Sequence, residues 1–215
     1  MGKNETEVFE FRGVDNLHIA EIIKDNEEEY VTGEVIYLSP VAEIGKNTET
    51  SNEARYYDNK AMMVVSSESA DTIQITLAPP TLDKLAMIIG KSFDESTGML
   101  VDGERDNKYF ALMYRTKGTD GAYRYVVRHK GTFSIPEESS KTEDNGTDTT
   151  NTAITYTGIF TKHQFEKGRY DKGEWKKGSV KGIVIDTRYN MVDMTNFFES
   201  VATPDSVKAS TTTIE

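Results

Sequence analysis

Apolar and polar positions alternate with a period of two in several short stretches of the chain. At 71–78, Ile73, Ile75 and Leu77 fall on one face and Thr72, Gln74 and Thr76 on the other, the pattern of a half-buried strand. Residues 108–116 set Phe110, Leu112 and Tyr114 against Tyr109, Ala111 and Met113. Residues 122–130 set Tyr123, Tyr125 and Val127 against Arg124, Val126 and Arg128. The intervening Lys-Gly-Thr-Asp-Gly supplies the glycines that a tight hairpin needs at positive φ. Further strands are expected at 34–44, at 152–161 and near 180–186.

The period changes once. After Pro79-Pro80, Leu82, Leu85, Ala86 and Ile89 follow helical spacing, with Thr81 placed to cap the start and Gly90 the end. A weaker helix is expected near 193–200, around Phe197-Phe198. Three segments read as irregular: the polar 45–60, the loop 136–151, which is nearly free of large apolar side chains, and the Ser/Thr-rich tail from Thr203. There is no internal repeat.

Composition narrows the function classes. The chain has 215 residues, 36% of them hydrophobic, and a formal charge of −11. Such a charge repels phosphates and argues against a conventional nucleic-acid reader. The apolar runs at 85–89 and 62–65 are far short of a membrane span, and the N-terminus lacks the basic-then-apolar pattern of a signal peptide. With no cysteine, disulfides and thiolate metal sites are impossible, which fits folding in a reducing compartment. The imbalance is local. Residues 1–30 carry three bases against nine acids, 136–151 one against five, and 162–181 seven against three. Separated patches of opposite sign suit self-association as well as solubility.

Catalytic and metal motifs are missing. His18, His129 and His163 have no ligand spacing, and there is no phosphate loop or nucleophile elbow. Asp102, Glu104 and Asp106 imitate a calcium loop, but Asn107 stands where glycine is needed and Met113 where the closing glutamate belongs. Glu27, Glu28 and Glu29 read as a solvated surface, and Trp175, among Lys172, Lys176 and Lys177, as an aromatic packed by lysine stems. No cofactor is expected. The residues alone describe a β-rich acidic protein and leave its function open.

A resemblance supplies one. Several pieces, in this order, are similar to the major tail tube proteins of long-tailed, non-contractile (siphovirus-type) bacteriophages of Gram-positive hosts. They are Gly-Val-Asp-Asn-Leu-His-Ile-Ala at 13–20, a strand at 33–38, the polar Glu-Ala-Arg-Tyr-Tyr-Asp at 53–58, and the strand at 71–78 leading into the helix. The strand at 108–116 follows, then Tyr-Arg-Tyr-Val-Val-Arg-His-Lys-Gly-Thr-Phe-Ser-Ile-Pro at 123–136 and Ile-Thr-Tyr-Thr-Gly-Ile-Phe at 154–160. The resemblance covers roughly 13–200, and the segment at 123–136 is its most specific part. The basic 162–181 stretch carries over least well.

The resemblance implies a mainly β fold: a sandwich or barrel of two packed antiparallel sheets, with a short helix at about 81–90. One domain would span 1–200, with an N-terminal arm at about 1–12, a long hairpin at about 40–70 and the polar loop 136–151, followed by a flexible arm at 201–215. It implies a non-enzymatic virion protein, made and assembled in the host cytoplasm, that forms hexameric rings stacked into the tail tube. Its implied partners are further copies, the tape-measure protein, the tail terminator and tail-tip or baseplate proteins. DNA would pass through the lumen without specific binding. Contacts between rings or subunits are expected at Asn47, Glu49, Glu53, Arg55, Tyr56, Tyr57 and Asp58, so deleting 47–57 should stop tube formation. Competing readings are a tail-tip, decoration or receptor-binding module and, from another class, a glycan-cleaving enzyme with a carboxylate pair.

Overall fold

The alternating stretches become strands of one antiparallel sheet in a computed structural model, which describes residues 8–138, 151–189, 192 and 194–208. In chain order the elements are β1 (Phe11–Asp25), β2 (Tyr30–Tyr37), β3 (Val41–Tyr57), β4 (Lys60–Leu77), α1 (Leu82–Ile89), β5 (Ser92–Asp94) and β6 (Met99–Val101). They continue with β7 (Phe110–Gly118), β8 (Tyr123–Phe133), β9 (Thr152–Gly158), β10 (Phe165–Asp171), β11 (Glu174–Gly178) and β12 (Gly182–Asp186). The main sheet runs β2-β1-β7-β8-β9-β4-β3, with β12 also on β8, while β5-β6 and β10-β11 form separate hairpins.

The alternation at 108–116 divides two cores. Phe110, Leu112 and Tyr114 of β7 join one apolar cluster, and Ala111 and Met113 join the other. The first cluster unites Leu17 and Ile19 of β1 with Ile73, Ile75 and Leu77 of β4 and with Ile154 and Tyr156 of β9. Those strands lie on opposite sides of β8 in the hydrogen-bonded order, so the sheet folds over at β8 and packs on itself as a sandwich. The two layers that the resemblance implies are therefore continuous. β8 makes the crossing by changing partners: residues 124–128 pair with β12, and residues 131–133 pair with β9.

The hairpin between β7 and β8 closes as its glycines predict. Gly121 has φ 85°, and the Gly118 N–H donates to the Ala122 carbonyl at 2.8 Å. In α1, Gly90 ends the helix at φ 68°, while the Thr81 hydroxyl makes no cap hydrogen bond. The Thr81 hydroxyl, with N–H groups of the first turn, holds the Asp83 carboxyl below its ordinary range. Ala86, Ile88 and Ile89 are the buried helix residues, so the contact face is rotated away from Leu82.

Four expectations change. The strand at 34–44 is two strands, because Pro40 has no N–H for the ladder and the chain there crosses between layers. Leu38 is buried at this crossing, its N–H on the Leu17 carbonyl at 2.9 Å, and the Ser39 hydroxyl donates to the Ala78 carbonyl at 2.6 Å. Residues 45–60 are not irregular but two paired strands, 45–57 and the start of β4 at Lys60, joined by a turn at 58 and 59. Near 193–200 the described residues form turns, with Phe197 N–H on the Met194 carbonyl at 3.2 Å. Neighbouring helical side chains diverge by about 100°, whereas the turns lay Phe197 on Tyr125 at 4.8 Å and Phe198 on His18 at 4.6 Å. Residues 201–208, expected to begin an arm, are docked. Val201 is buried, and the Asp205 carboxylate accepts the N–H groups of Glu166 and Lys167 at 3.1 and 2.9 Å.

The expected N-terminal arm is also attached where it is described. The Arg188 guanidinium lies 3.7 Å from the centre of the Phe9 ring, and the Glu10 carbonyl accepts from Thr119 N–H at 2.8 Å. The expectations for 1–7, for 139–150 within the polar loop and for 209–215 lie outside the described residues.

Candidate assembly site

β4 has neighbours on both sides only from Asp71 to Leu77, where it pairs with β9 as well as β3. Before Asp71, among the described residues, only β3 accompanies it. The two strands leave the body as a ribbon, paired from Thr50 with Glu68 to Tyr57 with Lys60. At the usual strand rise the ribbon is about 25 Å long. Its tip is a two-residue turn, with Asp58 at φ 49° and Asn59 at φ 61°. Positive φ at both positions matches the twist of a hairpin, and Asp and Asn are the non-glycine residues that best tolerate it.

Every residue from 49 to 69 is exposed. The exposed side chains include Tyr56, Tyr57, Met62, Met63, Val64 and Val65, which keep 44–70% of their surface accessible. Ala54 opposes Val64 on one face, and Glu53 and Arg55 oppose Val65 and Met63 on the other. These apolar side chains, on both faces of a projecting hairpin, have no hydrophobic partner in either core among the described residues, which is what a surface completed by another chain requires.

Six of the residues expected to make contacts lie on β3, and Asp58 lies in the turn at its end. Asn47 pairs with Thr72 at the root, Glu49 sits at an irregularity in the ladder, and Glu53, Arg55, Tyr56, Tyr57 and Asp58 follow toward the tip. Glu53 and Arg55 meet at 3.1 Å, an exposed pair worth about 0–1 kcal/mol. Sequence reasoning passed over the opposite strand. The run Met62-Met63-Val64-Val65 stood out only as too short for a membrane. Its signal was four adjacent apolar residues beside a polar segment, which on a strand puts apolar groups on both faces.

At the root, the ribbon is held by charges. The side chain of Asp71 is almost fully buried, and its carboxylate meets Lys46 Nζ at 3.1 Å, Lys181 Nζ at 3.2 Å and the Thr48 hydroxyl at 2.8 Å. Burial works to raise its pKa, but these donors prevail and hold it below the ordinary carboxylate range. Lys181 also meets Glu68 at 2.6 Å and donates to the Ser69 carbonyl. Neither Asp71 nor Lys181 was singled out by sequence, because one looks like an ordinary strand residue and the other like one more base in a basic stretch.

The remaining candidates do not assemble into a site. Glu28 and Glu29 belong to a surface turn in which their N–H groups donate to Asn26 Oδ1 at 2.9 and 2.8 Å. Asp102 pairs with Lys91 at 2.8 Å. His18 stacks on Phe198, whereas His129 is buried in β8, its Nε2 3.0 Å from the Ala202 carbonyl. Among the described residues no group of three or more His, Asp or Glu side chains is placed to hold a metal, and no helix is long and apolar enough to cross a membrane. Trp175 is half-exposed and packs edge-on against Tyr170 at 5.0 Å, across the small β10-β11 hairpin.

Residues 42–178, more than half of the chain, match the phage tail tube protein family. The match takes in the whole ribbon, the helix and β7 to β11. No curated protein matches the chain. The projecting ribbon, the sandwich body and this match agree: the chain belongs to the phage tail tube protein family and is a structural component of the virion tail, not an enzyme.

Proposed function

We propose that six copies close into a ring, and that rings stack into the tube of a long, non-contractile tail through which DNA is ejected into the host. The observation that carries this reading is the β3-β4 ribbon, whose exposed length and apolar side chains on both faces suit a contact with the next ring. Within a ring, the open edge of β2 is suited to sheet continuation. Among the described residues it pairs only with β1, and it exposes Val31 and Tyr37 and has no proline or lysine to guard it. Asn47, Glu49, Glu53, Arg55, Tyr56, Tyr57 and Asp58 then act in ring-to-ring contacts together with Met62, Met63, Val64 and Val65. The net charge of −11 supports a lumen that repels phosphates and lets DNA slide. Tape-measure protein, tail terminator and tail-tip or baseplate proteins complete the partner set, with assembly in the host cytoplasm.

The strand pairing changes the experiment. Deleting 47–57 alone would strip β3 from β4 and leave an unpaired strand, which aggregates for reasons unrelated to stacking. The matched truncation replaces 51–67 with Asn-Gly, so that Thr50 and Glu68 still pair. Expected is a folded subunit with an unchanged thermal midpoint that forms rings at most and no tubes by negative-stain electron microscopy. Tubes of normal length from this variant overturn the reading.

A further inference from the structure

We propose that Lys181 is the positioning residue of the ribbon, locking its direction before assembly. The inference rests on the reading that the ribbon carries the ring-to-ring contact. Three features coincide at the root. β4 loses its β9 neighbour at Asp71, paired with Gly158, so the chain continues as two strands alone. The β3-β4 ladder is irregular between Thr48 and Thr50, the kind of defect at which a ribbon bends. On this hinge sits the Lys181 ammonium, its side chain only 9% exposed, reaching Glu68 at 2.6 Å, the Ser69 carbonyl and Asp71 at 3.2 Å.

Those acceptors lie on both sides of the irregularity, one of them on the ribbon and one in the body. Lys181 itself belongs to the body, just before β12, and its carbonyl accepts the His129 N–H at 2.9 Å. The Phe160 ring stands 5.0 Å from the ammonium and covers it. From β3, Lys46 and Thr48 hold Asp71 as well, so both strands are tied to the same buried carboxylate. A ribbon fixed in this way loses less freedom when it docks than one that swings about its root, and preorganisation of this kind speeds and tightens association.

The test uses distance and rate together. The chain has no cysteine, so spin labels at Ser51→Cys on the ribbon and Glu95→Cys on the β5-β6 turn are unique. The wild-type free subunit should give one narrow distance distribution. Lys181→Met should broaden it and slow tube formation about tenfold, with unchanged circular dichroism, and Lys181→Arg should restore both. Asp71 keeps Lys46 and Thr48 in Lys181→Met, so its charge is not left alone. If that variant does not fold, Glu68→Gln gives the same two readouts with Lys181 still on Asp71. A narrow distribution, or a wild-type rate despite a broad one, overturns the proposal. If the wild type forms no tubes, the stacking reading fails, while the distance distribution still decides whether the root is locked.

Discussion

Gly131 lies against the ring of Tyr156 so closely that a Cβ there would come within 2.4 Å of Cζ, and equally close to the Thr157 carbonyl. The contact marks the place where β8 turns from one layer to the other. Tyr156 is fully buried beneath it, donates its hydroxyl to the Phe110 carbonyl at 2.8 Å and packs on Phe133 at 5.1 Å. A methyl at position 131 has backbone on one side and a locked ring on the other, with no flexible chain end to give way. Gly131→Ala should therefore cost about 1–3 kcal/mol, read as a lower urea midpoint with an unchanged m-value. A midpoint equal to the wild type would show that the two layers do not close as described.

Methionine chemistry reports on the ribbon. Met62 and Met63 are 69% and 50% exposed, whereas Met113 is fully buried in the body. Dilute peroxide should convert the first two to sulfoxides in free subunits and spare Met113, as mass spectrometry of the peptides would show. In assembled tubes Met62 and Met63 should be protected to the level of Met113. Subunits oxidised beforehand should assemble poorly, since the sulfoxide makes an apolar contact polar. Equal oxidation in free and assembled protein would remove the ribbon from the stacking contact.

His129 predicts how stability follows pH. Burial drives its pKa down from 6.5 to about 4, overriding the hydrogen bond to the Ala202 carbonyl. The folded imidazole is thus neutral where the unfolded one takes up a proton. Between pH 6.5 and about 4 the unfolded chain binds more protons, so stability falls as pH drops through that window and is level above it. The loss approaches about 3 kcal/mol. Asp25 and Asp71 do not share this window. Burial raises the pKa of each, but Lys130 with two N–H groups for Asp25, and Thr48, Lys46 and Lys181 for Asp71, hold both below 3.8, so their contribution is lost only at lower pH. Urea midpoints across the window should decline in the wild type and stay flat in His129→Gln. A flat wild-type profile would contradict the buried neutral imidazole.

Strands that carry the core were legible because their burial is periodic and local. Ile73, Ile75 and Leu77 are all buried, as their spacing predicts, and Gly121 turns the β7-β8 hairpin. β1 was not legible as a strand from its pattern. Its ladders shift register between Asp15 and His18 and on both sides of Ile22, and each shift interrupts the period of two. The ribbon was hidden for a different reason. Residues 49–57 bury nothing, so no hydrophobic period marks them, and a polar strand held only by its partner reads as a loop. The resemblance to tail tube proteins, not the pattern, pointed to a hairpin there.

By itself, the sequence determined the β-rich class, the central hairpin, the short helix after Pro79-Pro80 with its glycine stop, and the absence of thiol chemistry. These follow from local spacing and residue type, which act over a few neighbours along the chain. Tertiary structure alone decided that one sheet folds over at β8, since only Gly131 admits the Tyr156 ring there. It alone brought Lys181 to Glu68 and Asp71, more than a hundred residues away in sequence. Contacts at that separation depend on how strands are ordered in the sheet, and no periodicity along the chain encodes that order.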